Sequence, residues 1–175
     1  MQPRASDKIS YLAFVASLAL TACGPKVQVK TTETNVAIVG HYKTYSYDAS
    51  DSAPTGFAKT GLTSPILERV RLEVDAEMQR RGYTRTADGR GDLVIHIAAG
   101  TRQVLDPPSV ATERHGDSAS VDTERGIAIE IARQGSPEKL FHGYARYEAE
   151  PNSIDAGKIH AAVVETLAGV PNSAR

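Results

Sequence analysis

The chain is almost without cysteine: Cys23 is the only one in 175 residues. An intramolecular disulfide is therefore excluded, and so are thiolate ligands for a metal. Charge of either sign is also scarce in balance, with a formal net charge of −1. That removes the electrostatic footprint expected of a nucleic-acid binder and leaves no polybasic patch for a membrane surface. The longest apolar run, Ile9 to Leu20, is shorter than the ~20 residues a transmembrane helix needs. Catalytic phrases are missing too. There is no His-Glu-x-x-His and no Gly-x-Ser-x-Gly, and Gly89-Arg90-Gly91 leads into a strand pattern instead of opening a helix over a phosphate.

What is present near the start is a basic segment (Arg4, Lys8), the apolar run, and then Leu20-Thr21-Ala22-Cys23-Gly24. Charge, apolar stretch and small residues in that order are the layout of a secretory signal. The ending resembles the lipobox of bacterial lipoproteins. That resemblance implies cleavage between Ala22 and Cys23, with Cys23 taking acyl chains, palmitate among them, on its thiol and new amino group. Gly24, where an aspartate tends to retain such proteins in the inner membrane, implies sorting to the outer membrane, periplasmic face. The expected division is a signal peptide over 1–22, a lipidated cysteine and flexible tether over 23–35, one domain over 36–171 and a disordered tail over 172–175. A chain of about 150 residues buries ~70% of its unfolded surface, enough for one sizeable core.

Within the domain, Val36 to Tyr47 is β-branched and aromatic, which favours a strand. Asp48 to Gly61 reads as a loop. Ser64-Pro65 reads as a helix start with serine as N-cap, and Ile66, Val70, Val74 and Met78 form an apolar stripe that Gly82 ends. Asp92 to Thr101 alternates as a strand with Leu93, Ile95, Ile97 and Ala99 on one face. The preceding strand, the helix and this strand suggest a parallel βαβ unit. Residues 102–125 read as a long polar connection. Ile127, Ile129 and Ile131 mark another strand, Gln134 to Glu138 a turn, and Leu140 to Glu148 the hairpin partner. Asn152 reads as the cap of a last helix with Ile159, Val163 and Leu167 inward. The fold expected is α+β, a two-layer sandwich with one mixed sheet of about four strands and two helices on one face, in the order β-α-β-β-β-α.

Four phrases resemble the domain of unknown function 4136 family of bacterial lipoproteins. They are Tyr42-Lys43-Thr44-Tyr45-Ser46-Tyr47; Ser64 to Val70 leading to Glu77-Met78-Gln79-Arg80-Arg81-Gly82-Tyr83; Gly91-Asp92-Leu93-Val94-Ile95; and Phe141-His142-Gly143-Tyr144-Ala145, where a tryptophan is commoner than Phe141. The turn at Gln134 to Glu138 departs from that family's usual Thr-Gly-Lys-type sequence. The resemblance implies a small mixed-sheet domain in a lipoprotein and carries over no functional residue.

Candidate chemistry is sparse. His41, His96, His115, His142 and His160 show no short ligand spacing, although His96, Glu130 and His142 have the parity to share a sheet face. Asp48 and Asp51 lie in a polar loop. Neither a catalytic residue, a metal site nor a cofactor is assigned. Tyr42, Tyr45, Tyr47 and Tyr144 form a candidate binding face, because tyrosine is amphipathic and stiff; the blander and favoured reading is cross-strand packing partly covered by helices. The reading is a non-enzymatic binding or adaptor module of the cell envelope, anchored by lipid, whose partners are envelope proteins or peptidoglycan and not nucleic acid. The alternative is a small-ligand carrier or enzyme with its site between the sheet and the 102–125 segment.

Overall fold

A computed structural model describes residues 27–33, 35–48, 53–87, 89–106, 120–150 and 152–174. Ala22, Cys23 and the rest of the expected signal lie outside the described residues. The strands are β1 (Val27–Glu33), β2 (Thr44–Tyr47), β3 (Thr84–Arg85), β4 (Leu93–Asp106), β5 (Ser120–Arg133) and β6 (Lys139–Glu148); the helices are α1 (Val36–Val39), α2 (Thr63–Arg80) and α3 (Ala156–Thr166). The strands form one mixed sheet in the order β1-β6-β5-β4-β2-β3. The α+β class and the mixed sheet match the expectation, with six strands in place of about four. β2 and β4 run parallel with α2 in the connection between them, and β4, β5, β6 and β1 pair antiparallel.

Period-2 alternation fixes which face is buried. Ile95, Ile97 and Ala99 of β4 stand in register with Ile131, Ile129 and Ile127 of β5, and Ile131 and Ile127 with Phe141 and Ala145 of β6; Leu93 continues the β4 face. They share one core with Ile66, Val70, Val74 and Met78 of α2 and Ile159 and Val163 of α3. Each such aliphatic, fully buried, contributes ~1.5–3 kcal/mol. Truncating Ile129 at the centre to alanine costs ~2–5 kcal/mol. The two long helices pack on each other, α2 against β4 and α3 against β1 and β6.

Several boundaries move. Val27–Glu33, inside the expected tether, is a strand paired residue for residue with β6. The stretch expected as one strand from Val36 to Tyr47 is a helical turn, α1, followed by a shorter β2. The long connection 102–125 is largely ladder: β4 and β5 stay paired out to Asp106–Ser120. The expected disordered tail is tied down through residue 174, with Ser173 N–H donating to Arg81 O and Ala174 N–H to Gly40 O.

Two helix caps also differ from the sequence reading. α2 begins at Thr63, whose hydroxyl accepts the Thr60 N–H at 2.7 Å, so Ser64 is inside the first turn and Pro65 follows where no amide partner exists anyway. α3 is capped by Asp155, which accepts from Lys158 N–H at 3.0 Å, while Asn152 holds a turn at φ 63°. The C-terminal end of α2 is as expected. Gly82 at φ 88° lets Tyr83 N–H return to Met78 O and Gly82 N–H to Gln79 O.

Candidate functional site

The four tyrosines do not make one surface. Tyr45 is fully buried under α2, where its hydroxyl donates to Asp75 at 2.7 Å; Tyr47 donates to the same carboxylate at 2.9 Å. Burial and then the Asp75 partnership push both hydroxyls well above the ordinary tyrosine range. Tyr42 packs on the edge of the core. Tyr144 lies on the opposite sheet face, against Phe57 with ring centroids 5.9 Å apart. Alternation decides this: the β6 residues buried under the helices are Phe141, Ala145 and Tyr147, so Tyr144 points the other way.

His96, Glu130 and His142 do form a row across that opposite face, through the pairs His96–Glu130 and Glu130–His142. His142 Nδ1 is 2.9 Å from Glu130 and His96 Nδ1 is 3.1 Å from Asp48. Burial raises the Glu130 carboxyl, but the Lys139 and His142 contacts outweigh it, and the net shift is downward. Among the described residues no group of three histidines, cysteines or carboxylates is placed to hold a metal ion.

A different place has the shape of a site. The loop from Ala53 to Leu62 runs past the end of β2 and bridges the free edge of β4: Ala58 N–H donates to Thr101 O at 2.9 Å and Thr101 N–H to Ala58 O at 3.0 Å. Gly100 and Gly126 face each other across β4 and β5. The Phe57 ring occupies the slot they leave, since a Cβ on Gly126 would come within 2.9 Å of it. The Arg102 guanidinium covers the other side of the ring at 4.9 Å and pairs with Glu124 at 2.6 Å.

Between this loop and the outer part of the β4–β5 ladder is a cleft of about 790 Å³, with Phe57, Leu62, Thr101, Gln103, Arg125 and Asn152 in its wall. Among the described residues its charged lining is two arginines, Arg102 and Arg125, with no carboxylate. Arg125 is only 2% exposed. Its Nη2 donates to Ser153 O at 2.8 Å and reaches Glu150 O at 3.5 Å, whereas Nε and Nη1 have no partner among the described residues. Beside it in the sheet stands Tyr147, whose hydroxyl is also unpartnered; burial pushes it up to about 12, against the pull of the Arg125 charge. The described lining of the cleft thus offers hydroxyls, side-chain amides and guanidinium groups.

The sequence matches the family described as a domain of unknown function, DUF4136, over residues 29–172. The chain belongs to the DUF4136 family. Among solved structures, a PelC dodecamer from Paraburkholderia phytofirmans is similar at 11% identity and a TM-score of 0.52, covering 86% of this chain and 100% of that one. A PDZ domain protein from Parabacteroides distasonis has 13% identity and a TM-score of 0.56, covering 87% of this chain and 37% of that longer one. A DUF4136 family protein from Bacteroides thetaiotaomicron has 14% identity and a TM-score of 0.49, covering 84% and 98%. No curated protein matches the chain. At these identities the first two likenesses concern the fold of the DUF4136 domain alone.

The cleft and Arg125 were not singled out from the sequence. The signal was there in one form: Arg125 has the same parity as Ile127, Ile129 and Ile131, which places it on the inward face of β5.

Proposed function

We propose that this DUF4136 chain is an outer-membrane-anchored lipoprotein whose periplasmic domain is a non-enzymatic binding module held close to the bilayer. The lipobox-like stretch ending at Cys23 supports the anchor. One observation sharpens the reading. Only Gly24, Pro25 and Lys26 separate Cys23 from Val27, the first residue of β1. A link of that length reaches at most ~14 Å when fully extended. Val27 stands in one cross-sheet row with Tyr147, Arg125 and Thr101. The end of the sheet that carries the cleft is therefore the end nearest an acylated Cys23. Beyond that row β4 and β5 continue for five more pairs, ~17 Å at 3.4 Å per residue, in the direction of the anchor.

A small-ligand carrier is the second reading, and the cleft is what favours it. In both readings the module works at the membrane surface. Metabolic labelling with a fatty acid tests the anchor: label is expected in the wild type and absent from Cys23→Ser. Equal label in both proteins sinks the lipoprotein reading. Lengthening the link by twenty Gly/Ser residues before Val27 tests the range. Loss of in-cell crosslinks to envelope proteins or peptidoglycan is expected, and an unchanged crosslink pattern counts against a module that works close to the bilayer.

A further inference from the structure

Two charged side chains are buried among the described residues, Glu77 and Arg125. Glu77 is paired with two arginines; Arg125 has no ion pair among the described residues. A cation removed from water without a counter-charge carries a desolvation penalty that carbonyl contacts from one nitrogen do not offset. Folded proteins rarely leave such donors orphaned, and each such group calls for a physical reason, a bound water or ion among them. Arg125 lies in the wall of a cleft whose volume falls in the range of small-ligand sites. The same wall offers the apolar surfaces of Phe57 and Leu62 and the hydroxyl of Thr101. A guanidinium with free N–H groups selects an oxyanion, and phosphate oxygens are among its best acceptors.

We propose that the cleft binds an alkyl phosphate, its oxyanion held by the Arg125 guanidinium once it turns toward the cleft, and its alkyl part lying along Leu62 and the loop that carries Phe57. This is the chemistry shared by a phospholipid head and a free organophosphate. The lipid source rests on the anchor proposed above, because only an anchored domain keeps this end of the sheet at the bilayer; the soluble source does not.

The mature lipidated chain, purified from membranes, is the protein to test. In non-ionic detergent its unfolding midpoint is expected to rise with hexyl phosphate concentration, since a ligand that binds only the folded state stabilises it. Inorganic phosphate should raise it less, and hexanol not at all. Arg125→Lys is expected to weaken the response about tenfold in concentration, and Arg125→Met to abolish it. Ala58→Trp, at an exposed position in the cleft wall, should abolish it with Arg125 intact, which covers the case in which the Arg125 variants fold poorly. In phosphatidylcholine vesicles, a further rise on adding phosphatidylglycerol identifies a membrane lipid as the source. A rise with hexyl phosphate but none with phosphatidylglycerol identifies a soluble one. No rise with any anionic probe, or equal rises in wild type, Arg125→Met and Ala58→Trp, overturns the proposal. The hexyl phosphate arm repeated on Cys23→Ser separates the two readings: a normal response with no fatty-acid label leaves the cleft standing while the label alone judges the anchor.

Discussion

Two arginines, one at each end of α2, are nearly equally withdrawn from water and are treated differently. α2 starts at Thr63, next to Leu62 in the cleft wall, and ends ~27 Å away at Arg80, with Arg81 just beyond. The Arg81 side chain is 9% exposed and grips Glu77, itself 5% exposed, at 2.6 Å, with a further bond to Val170 O. Arg80 closes on the same carboxylate from the solvent side. At the cleft end, Arg125 has two carbonyl oxygens and no carboxylate. A buried cation that fastens a helix end to the C-terminal segment needs its counter-charge built in. One that lacks it leaves part of its bonding capacity unused, and the difference separates a structural arginine from a receiving one.

Glu77→Leu is the strongest way to break this contrast. It leaves the largely buried Arg81 without a carboxylate, as Arg125 is, and a loss of about 3 kcal/mol is expected in urea unfolding, near the lower end for a broken buried pair. A loss under about 1 kcal/mol would show that Arg81 is no better held than Arg125. Acid should erase the same contrast more gently. The Arg80 hydrogen bond, then that of Arg81, hold the Glu77 carboxyl below its ordinary value despite burial. The stabilisation is therefore present above about pH 4.5 and is lost as pH falls through the lowered value. The acid limb of a stability–pH profile should be steeper in wild type than in Glu77→Leu; parallel limbs would remove Glu77 from the account. Gly126→Ala should cost about 1 kcal/mol by displacing the Phe57 ring, and should loosen the cleft without touching Arg81. Unchanged hexyl phosphate binding in that variant would mean the ring does not shape the cleft. The smallest effect is expected from Arg125→Met. Replacing an unpaired buried charge by an apolar side chain of similar reach should leave ligand-free stability within about 1 kcal/mol of wild type or raise it. A loss as large as that of Glu77→Leu would place Arg125 in the same structural role as Arg81.

What could be read from the sequence follows from where burial is one-sided. The α2 stripe, its Gly82 end and the Ile127–Ile131 alternation are strong periodic signals because each element buries one face on a large core. β1 gave a weak signal: Val27 and Val29 alternate with Gln28 and Lys30, but Thr31 and Thr32 lack apolar side chains, and an edge strand buries little. The outer β4–β5 ladder was hidden for a related reason. Thr101, Gln103 and Thr123 line an open cleft, so nothing demands apolar residues there. Of the two readings of the tyrosines, Tyr45 follows the packing one, because parity sends Tyr45 inward and Tyr144 outward. Phe57 and its slot depend on two glycines opposed across separate strands, a pairing that no local pattern announces.

The place of β1 has a consequence in time. Gln28 and its neighbour across the ladder, Arg146, are 118 residues apart, and β1 touches no earlier strand. As the chain is made, at ~5–20 residues per second, its first strand waits on the order of ten seconds for a partner. Closing so long a loop is also among the slower steps a small domain faces. Of the described strands, β1 is thus the first to be synthesised and among the last to gain its partner.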